Sequence, residues 1–395
     1  MKKVLAINSG SSTFKYKLFS LEDESVLAEG IADRVGLADS TFEIKLPDGT
    51  KHFEEVAVPD QEVAVKLLLD SLKKYHVVED FAEIAGVGHR IVAGGEYFKD
   101  SALIDEEQLK KIYDLKEYAP LHNPAEGRGI EAFMKLLPGV PQVGVFDTSF
   151  HQTLDPVHYL YSLPYEYYDK YKVRKYGAHG TSVRYVANRT AELLDKDVKD
   201  LKLIVLHLGS GASITAVKDG KSFDTSMGFS PLAGITMATR SGDVDASALQ
   251  FIMEKEHYSM DEMIEILNKK SGLLGISGVS PDMRDLIKSD KPTADLARKI
   301  FISRVISYVG SYIAEMHGVD AITFTAGIGE HDSGIREGVM KDLEFMGLVG
   351  DYEANKTNGE KIISKPESKI QALIVPTDEE LMIERDVVRL AKLDK

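Results

Sequence analysis

The chain has 395 residues, 43% of them hydrophobic and 28% charged, which suits two soluble domains with separate apolar cores rather than a disordered or membrane protein. A net charge of −15 with no basic stripe argues against nucleic-acid or anionic-membrane partners, so an anionic small ligand would need arginines gathered in one place. The absence of cysteine excludes disulfides, thiolate metal sites and a cysteine nucleophile, leaving oxygen or histidine to hold any metal.

In chain order, Met1-Lys2-Lys3 is followed only by the apolar stretch Val4–Ile7, too short for a signal-peptide core. No run of about 20 apolar residues offers a membrane span, so a cytoplasmic protein is expected. Lys3–Ile7 predicts a buried strand, Asn8–Thr13 a turn of small residues, and Phe14–Phe19 a returning strand. The acidic run Glu22–Glu24 and the Lys/Asp-rich stretch Asp195–Lys202 read as solvated loops. Ile84–His89 and Gln142–Phe146 predict further strands. The opening unit then recurs: strand Leu203–Leu206, turn His207–Gly211, strand Ser213–Val217, with Asp219-Gly220 forming the next tight turn. This recurrence, with strands and helices alternating between, predicts an α/β fold that is duplicated. Between residues 294 and 317, Ile302, Ile306, Val309, Ile313 and Met316 mark the buried face of a helix, and Gly318 suits its left-handed stop. Strand Ala321–Phe324 and the loop Thr325–Glu330 follow, at a strand's carboxyl end, where α/β folds bind ligands.

Three small-residue segments, Asn8–Thr13, Gly209–Ser213 and Gly327–Glu330, each follow an apolar strand and would let backbone N–H groups approach phosphate. A single such loop is usually a plain turn; repetition on paired halves is what points to a nucleotide. The common motifs fail. The lone Gly-Lys-Ser, Gly220–Ser222, has Thr215 where a P-loop needs glycine, and Ile214 breaks a dinucleotide fingerprint begun by Gly209 and Gly211. No His-Glu-x-x-His helix supports zinc.

Asn8-Ser-Gly-Ser-Ser-Thr-Phe-Lys15 resembles the opening signature of acetate kinases and related carboxylate kinases. The segments His89–Glu96, Ala119–Pro124, Val145–His151, Tyr176–Ser182, Asp224–Phe229, Thr239–Asp243, Ser271–Gly275, Asp282–Arg284 and Thr377–Leu381 are similar to later family segments, in the same order. The resemblance implies two duplicated actin-like (ribonuclease H-like) ATPase domains with a nucleotide cleft between them. It divides the chain into 1–149 plus 381–395, and 150–380 as the nucleotide-binding and dimerisation domain of a homodimer.

The same resemblance implies the roles. Arg90 would meet the substrate carboxylate, beside an apolar pocket of Val92, Leu121 and Pro231, with His122 close by. Arg240 and His179 would meet the moving phosphoryl group. Phosphoryl transfer mainly needs charge neutralised over the equatorial oxygens, which forked guanidiniums and magnesium do well. Asn8 and Glu379 match the metal positions, for Mg2+ with Mn2+ as substitute, and Thr377 is a candidate cap for the helix carrying Glu379. Asp147 would act electrostatically, because acetate is already ionised and needs no strong base. ATP or ADP would be held by Lys15, by His207, Leu208, Gly209, Ser210 and Gly211, by Asp282, Met283 and Arg284, and by Gly327, Ile328, Gly329, Glu330 and His331. The bland readings are a surface ion pair for Asp282 and Arg284, and backbone-satisfying roles for His122 and His151.

The sequence departs from the family pattern at Ala178, where a pocket phenylalanine is usual, and at Ser210, Val183 and His331. Ala178 implies a roomier pocket and keeps a propionate or butyrate kinase open beside an acetate kinase. A chaperone-like ATPase or a sugar kinase of the same superfamily fits less well, the first needing no carboxylate pocket and the second an aspartate base.

Overall fold

The structure is a computed structural model that describes residues 2–120 and 122–393. The chain forms two compact units, residues 1–150 with 378–395, and residues 151–377. The second crossing falls three residues before the expected one, so Glu379 belongs to the first unit.

The first unit is built on β1 (Lys3–Ser9), β2 (Thr13–Ser20), β3 (Val26–Asp33), β4 (Thr41–Lys45), β5 (Lys51–Glu55), β6 (Ile84–Ile91), β7 (Ala102–Leu103) and β8 (Gln142–Phe146). Their order in the sheet is β5-β4-β3-β2-β1-β6-β8-β7. β1 to β5 pair antiparallel in sequence, whereas β6 runs parallel to β1 and β8 parallel to β6. The second unit contains β9 (Lys202–Leu208), β10 (Ala212–Lys218), β11 (Lys221–Thr225), β12 (Ala321–Thr325), β13 (Lys361–Ile362) and β14 (Gln371–Ile374), ordered β11-β10-β9-β12-β14-β13. The run β3-β2-β1-β6-β8 and the run β11-β10-β9-β12-β14 therefore share order and direction. The duplication expected from the sequence is present.

β1 is apolar on both faces because both are covered. Leu5 and Ile7 pack with Phe14, Leu68 and Phe133 on one side. Val4 and Ala6 pack with Val143, Val145, Ile383 and Val387 on the other, the last two from the helix Glu379–Ala391. Each of these Val, Leu, Ile and Phe side chains contributes about 1.5–3 kcal/mol when fully buried. β6 carries Gly86 and Gly88 where this helix crosses. A Cβ at Gly88 would lie 2.3 Å from the Ile383 side chain, and one at Gly86 2.4 Å from Val387. Bare backbone lets the helix sit against the strand, and Arg90, two residues on and on the same face, meets the helix's first turn.

Several local expectations are revised. Asn8 and Ser9 are paired strand residues, opposite Lys15 and Phe14, so the turn shrinks to Gly10–Ser12. Asp219 and Gly220 both take positive φ, 54° and 72°, as a tight hairpin turn demands. The long helix Pro292–Met316 buries Phe301, Val305, Val309, Tyr312, Ile313 and Met316, while Ile302 and Ile306 flank that face half-buried. Its left-handed cap is His317, at φ 58°, ahead of Gly318. Thr325–Glu330 is not a loop: residues Ala326–His331 form a short helix entered through Ala326 at φ 62°.

Candidate active site

In the first unit, β6 presents Arg90 and the residue after β8 is Asp147, adjacent because the two strands pair in parallel. Arg90 forms a fork on Asp147, Nε to Oδ1 at 3.1 Å and Nη2 to Oδ2 at 2.6 Å. Its Nη1 donates to Asn8 Oδ1 at 3.3 Å, and Glu379 lies 3.6 Å from Nε. Asp147 is buried, and its pairing raises the guanidinium's pKa, which keeps Arg90 charged throughout the accessible range. Glu379 opens its helix, capped by the Asp378 side chain, which accepts from Leu381 N at 3.1 Å. Thr377, the expected cap, bonds Ser182 Oγ instead. Burial pushes the Glu379 carboxyl up to about 7 against the opposing pull of Arg90. Asn8, Asp147 and Glu379 offer only oxygen donors, which fits Mg2+ or Mn2+.

A residue the sequence reading passed over, Glu126, completes this group. It sits in the first turn of the helix Asn123–Leu136, 4% exposed, and accepts a hydrogen bond from Val92 N at 3.2 Å. Burial pushes its carboxyl up to about 8. Fully buried Asn123 bonds both the N–H and the C=O of Ala93, fixing the segment after β6. Val92 is half-buried and His122 exposed, while Leu121 lies outside the described residues. Lys15 is exposed on β2, across from Asn8.

In the second unit the β9–β10 turn, Gly209–Ser210–Gly211, faces Arg240 and His179. A Cβ on Gly211 would meet Arg240 Nη2 at 2.6 Å and His179 Nε2 at 3.7 Å. Arg240 donates Nη1 to Pro231 O at 2.7 Å and forms no ion pair among the described residues. Burial without an acid lowers its pKa. His179, held at φ 59° before the helix Gly180–Leu193, shares a hydrogen bond with Ser213 Oγ at 2.9 Å. Its ring stacks on His207 at 4.0 Å, and His207 Nδ1 is fixed by Ser182 Oγ at 2.8 Å. Leu208 is core, so only its backbone is available to a ligand.

Gly327 is exposed and Gly329 buried within the short helix, and His331 Nδ1 bonds Gly327 O at 3.1 Å. Ile328 packs on the core, and Glu330 accepts from Thr377 N at 3.3 Å. Fully buried Arg336 braces this helix from behind, donating to Gly329 O at 3.0 Å and to Asn355. The fully buried Thr325 hydroxyl has no hydrogen-bond partner among the described residues. Met283 is core, whereas Asp282 caps its short helix and pairs with exposed Arg284, Nε to Oδ1 at 3.0 Å. His151 is structural, bonding Ala178 O and Ser222 Oγ, each at 2.8 Å. Ala178 lies in the core. A separate trio, His158, Asp224 and Glu315, has ligand-type atoms within 4.8 Å of one another, but the Lys175 ammonium already sits 2.5 Å from Asp224.

Two units of one topology, each presenting an arginine among strand-end turns, define a protein of the duplicated actin-like ATPase fold. The profile of the acetokinase family matches residues 3–385, and the chain belongs to that family. It is 54% identical over 396 residues to the acetate kinase of Bacillus subtilis (strain 168), covering 99% of this chain and 100% of that one. The acetate kinase of Enterococcus faecalis is 55% identical over 394 residues, with 99% and 100% covered. Among solved structures, the Porphyromonas gingivalis acetate kinase superposes with a TM-score of 0.95 at 46% identity, covering 99% of this chain and 100% of that one. A propionate kinase from Francisella tularensis gives 0.92 at 39% identity over the same shares.

Proposed function

We propose that this chain catalyses reversible, magnesium-dependent transfer of the γ-phosphoryl group of ATP to acetate, giving acetyl phosphate and ADP. A carboxylate oxygen of acetate attacks the γ-phosphorus in line, the bond to the β,γ-bridging oxygen breaks, and its electron pair leaves on ADP. No proton moves, so no general base is needed. Arg90 receives the carboxylate, with Val92 beside the methyl group and His122 nearby. Asp147 holds Arg90 in register and, with Asn8 and Glu379, provides the oxygen donors for the metal. Bound there, Mg2+ would neutralise phosphate charge. Arg240 and His179 donate to the equatorial oxygens of the moving group, and the backbone of residues 207–211 with the helix Ala326–His331 takes the remaining phosphates and adenosine. Exposed Lys15 and Arg284 and half-buried Asp282 serve the nucleotide.

The observation that carries this reading is Arg240, half-buried, without an acid, and directed with His179 at a turn whose glycine leaves room for nothing larger. A cation kept free of internal counter-charge is what an incoming polyphosphate requires. Hydroxylamine trapping of acyl phosphate, with acetate, propionate and butyrate side by side, tests it. Acetate should give the highest kcat/KM, and no hydroxamate from any acid would overturn the assignment. Propionate remains the second reading because of Ala178, since one methylene is worth only about 1–3 kcal/mol in an apolar pocket.

We further infer a cytoplasmic homodimer joined through the second unit, whose product supplies an activated acetyl group for acetyl-CoA formation. The exposed Leu163, Tyr165 and Tyr171 of that unit support the dimer, and sedimentation as a monomer at micromolar concentration would count against it.

A further inference from the structure

The surroundings of Arg90 pose a charge problem for a site that must bind an anion. One guanidinium is shared by Asp147, bonded to it through both oxygens, and by Glu379 at 3.6 Å. Glu126 is a third carboxyl in the same field, only 4% exposed and influenced by both Arg90 and Asp147. With all three ionised the cluster is doubly negative before the substrate carboxylate arrives. A divalent metal on Asn8 and Glu379 would more than offset the Glu379 charge, and Asp147 takes the guanidinium. Glu126 has neither counter-ion; its hydrogen-bond partner is the Val92 amide, a neutral donor. An acid so placed binds its proton in preference to keeping a buried charge.

We propose that Glu126 is a positioning residue for the carboxylate substrate: it anchors the Val92 backbone that forms the pocket wall, and the site accepts an anion only while Glu126 carries its proton. This rests on the assignment of Arg90 and Val92 to the carboxylate. The charged groups acting on Glu126 are Arg90, from β6, and Asp147, after β8. Burial is the largest influence and pushes the carboxyl up to about 8, outweighing the Val92 N–H bond and Arg90, which favour ionisation, while Asp147 opposes it. Below that pH the group is neutral; above it, its uncompensated negative charge repels the substrate carboxylate. Glu126 touches no reacting atom in this account, so its signature is in substrate affinity and its pH dependence rather than in the chemical step.

The test is the KM for acetate and the kcat between pH 6.5 and 9.5, with saturating ATP and magnesium, for the parent, Glu126→Gln and Glu126→Ala. In the parent, KM should climb above about pH 8, approaching tenfold per unit where loss of one proton abolishes binding. Glutamine keeps an acceptor for Val92 N and cannot ionise, so its KM profile should be flat across the same range. Alanine removes the anchor and should raise KM at every pH, by about tenfold, with a smaller change in kcat. If the Gln variant's KM climbs as steeply as the parent's, the protonation claim is overturned; if alanine leaves KM at pH 7 unaltered, the anchoring claim is. Absence of acyl phosphate from the parent enzyme would instead defeat the underlying reaction, which separates the two failures.

Discussion

Arg90 and Arg240 carry the same group into opposite surroundings. Arg90 is embedded among acids, forked onto buried Asp147, with Glu379 and Glu126 in its field. Arg240 has a carbonyl, a glycine turn and a histidine about it, and no acid among the described residues. The first unit thus presents a nearly neutralised cluster, suited to a metal ion and a small monoanion. The second presents uncompensated positive charge and backbone donors, suited to a polyphosphate. Sheets of the same topology have diverged in what their strand ends display. In a chain of net charge −15, local disposition of charge decides which anion goes where.

The contrast can be broken by deleting each guanidinium in turn. Arg240→Ala should lower kcat by about a thousandfold or more, on the scale of arginines that stabilise a moving phosphoryl group. Its thermal unfolding should shift little, since no internal acid loses a partner. Arg90→Ala should lose comparable activity and also about 3–5 kcal/mol of stability, because Asp147 is left buried and unpaired. Equal unfolding midpoints for the two variants would erase the distinction between the units.

The acid cluster also depends on packing behind it. Gly88→Val would drive a side chain into Ile383 and Val387, whose nearest atoms stand 2.3 and 2.7 Å from a Cβ there. It should cost about 1–3 kcal/mol by overpacking and, by displacing the helix that carries Glu379, raise the magnesium concentration needed for half-maximal rate. Normal metal activation in a destabilised Gly88→Val protein would show that the helix position is irrelevant to the metal.

A more gradual effect, spread over several pH units, concerns protons. A carboxyl whose folded pKa is raised contributes stability that is complete below its unfolded value and is lost as pH rises through the folded one. For Glu126 that window runs from its model-peptide value of about 4.3 to about 8. The ligand-free parent should therefore lose stability relative to Glu126→Gln across it, by up to about 1.4 kcal/mol per pH unit. Denaturant melts of the two proteins at pH 5.5, 6.5 and 7.5 measure the difference, and parallel curves would contradict it.

The duplicated sheets were legible because β1 and β9 are continuous apolar strands followed by small-residue turns, a pattern that survives without tertiary context. The short helix Ala326–His331 was not: a Gly-Ile-Gly sequence has poor helix propensity, and its helical form is braced by Arg336 from a later helix. Gly86 and Gly88 gave no signal, since their reason is the helix Glu379–Ala391, almost three hundred residues away in sequence. Arg90, Asp147, Asn8 and Glu379 were named from family likeness, and the structure brings those four together. Glu126 escaped notice because a glutamate in a helix's first turn normally serves the helix dipole in solvent; only its burial against Val92 makes it part of the site.

The most direct test of the division between the units is the stoichiometry of turnover. With magnesium and saturating ATP, ADP release and acyl phosphate formation should both begin only when acetate is added, and should proceed one to one. Steady ADP release without acetate, or release that outruns acyl phosphate, would mean that the phosphate-binding unit works without the carboxylate cluster, contrary to the account.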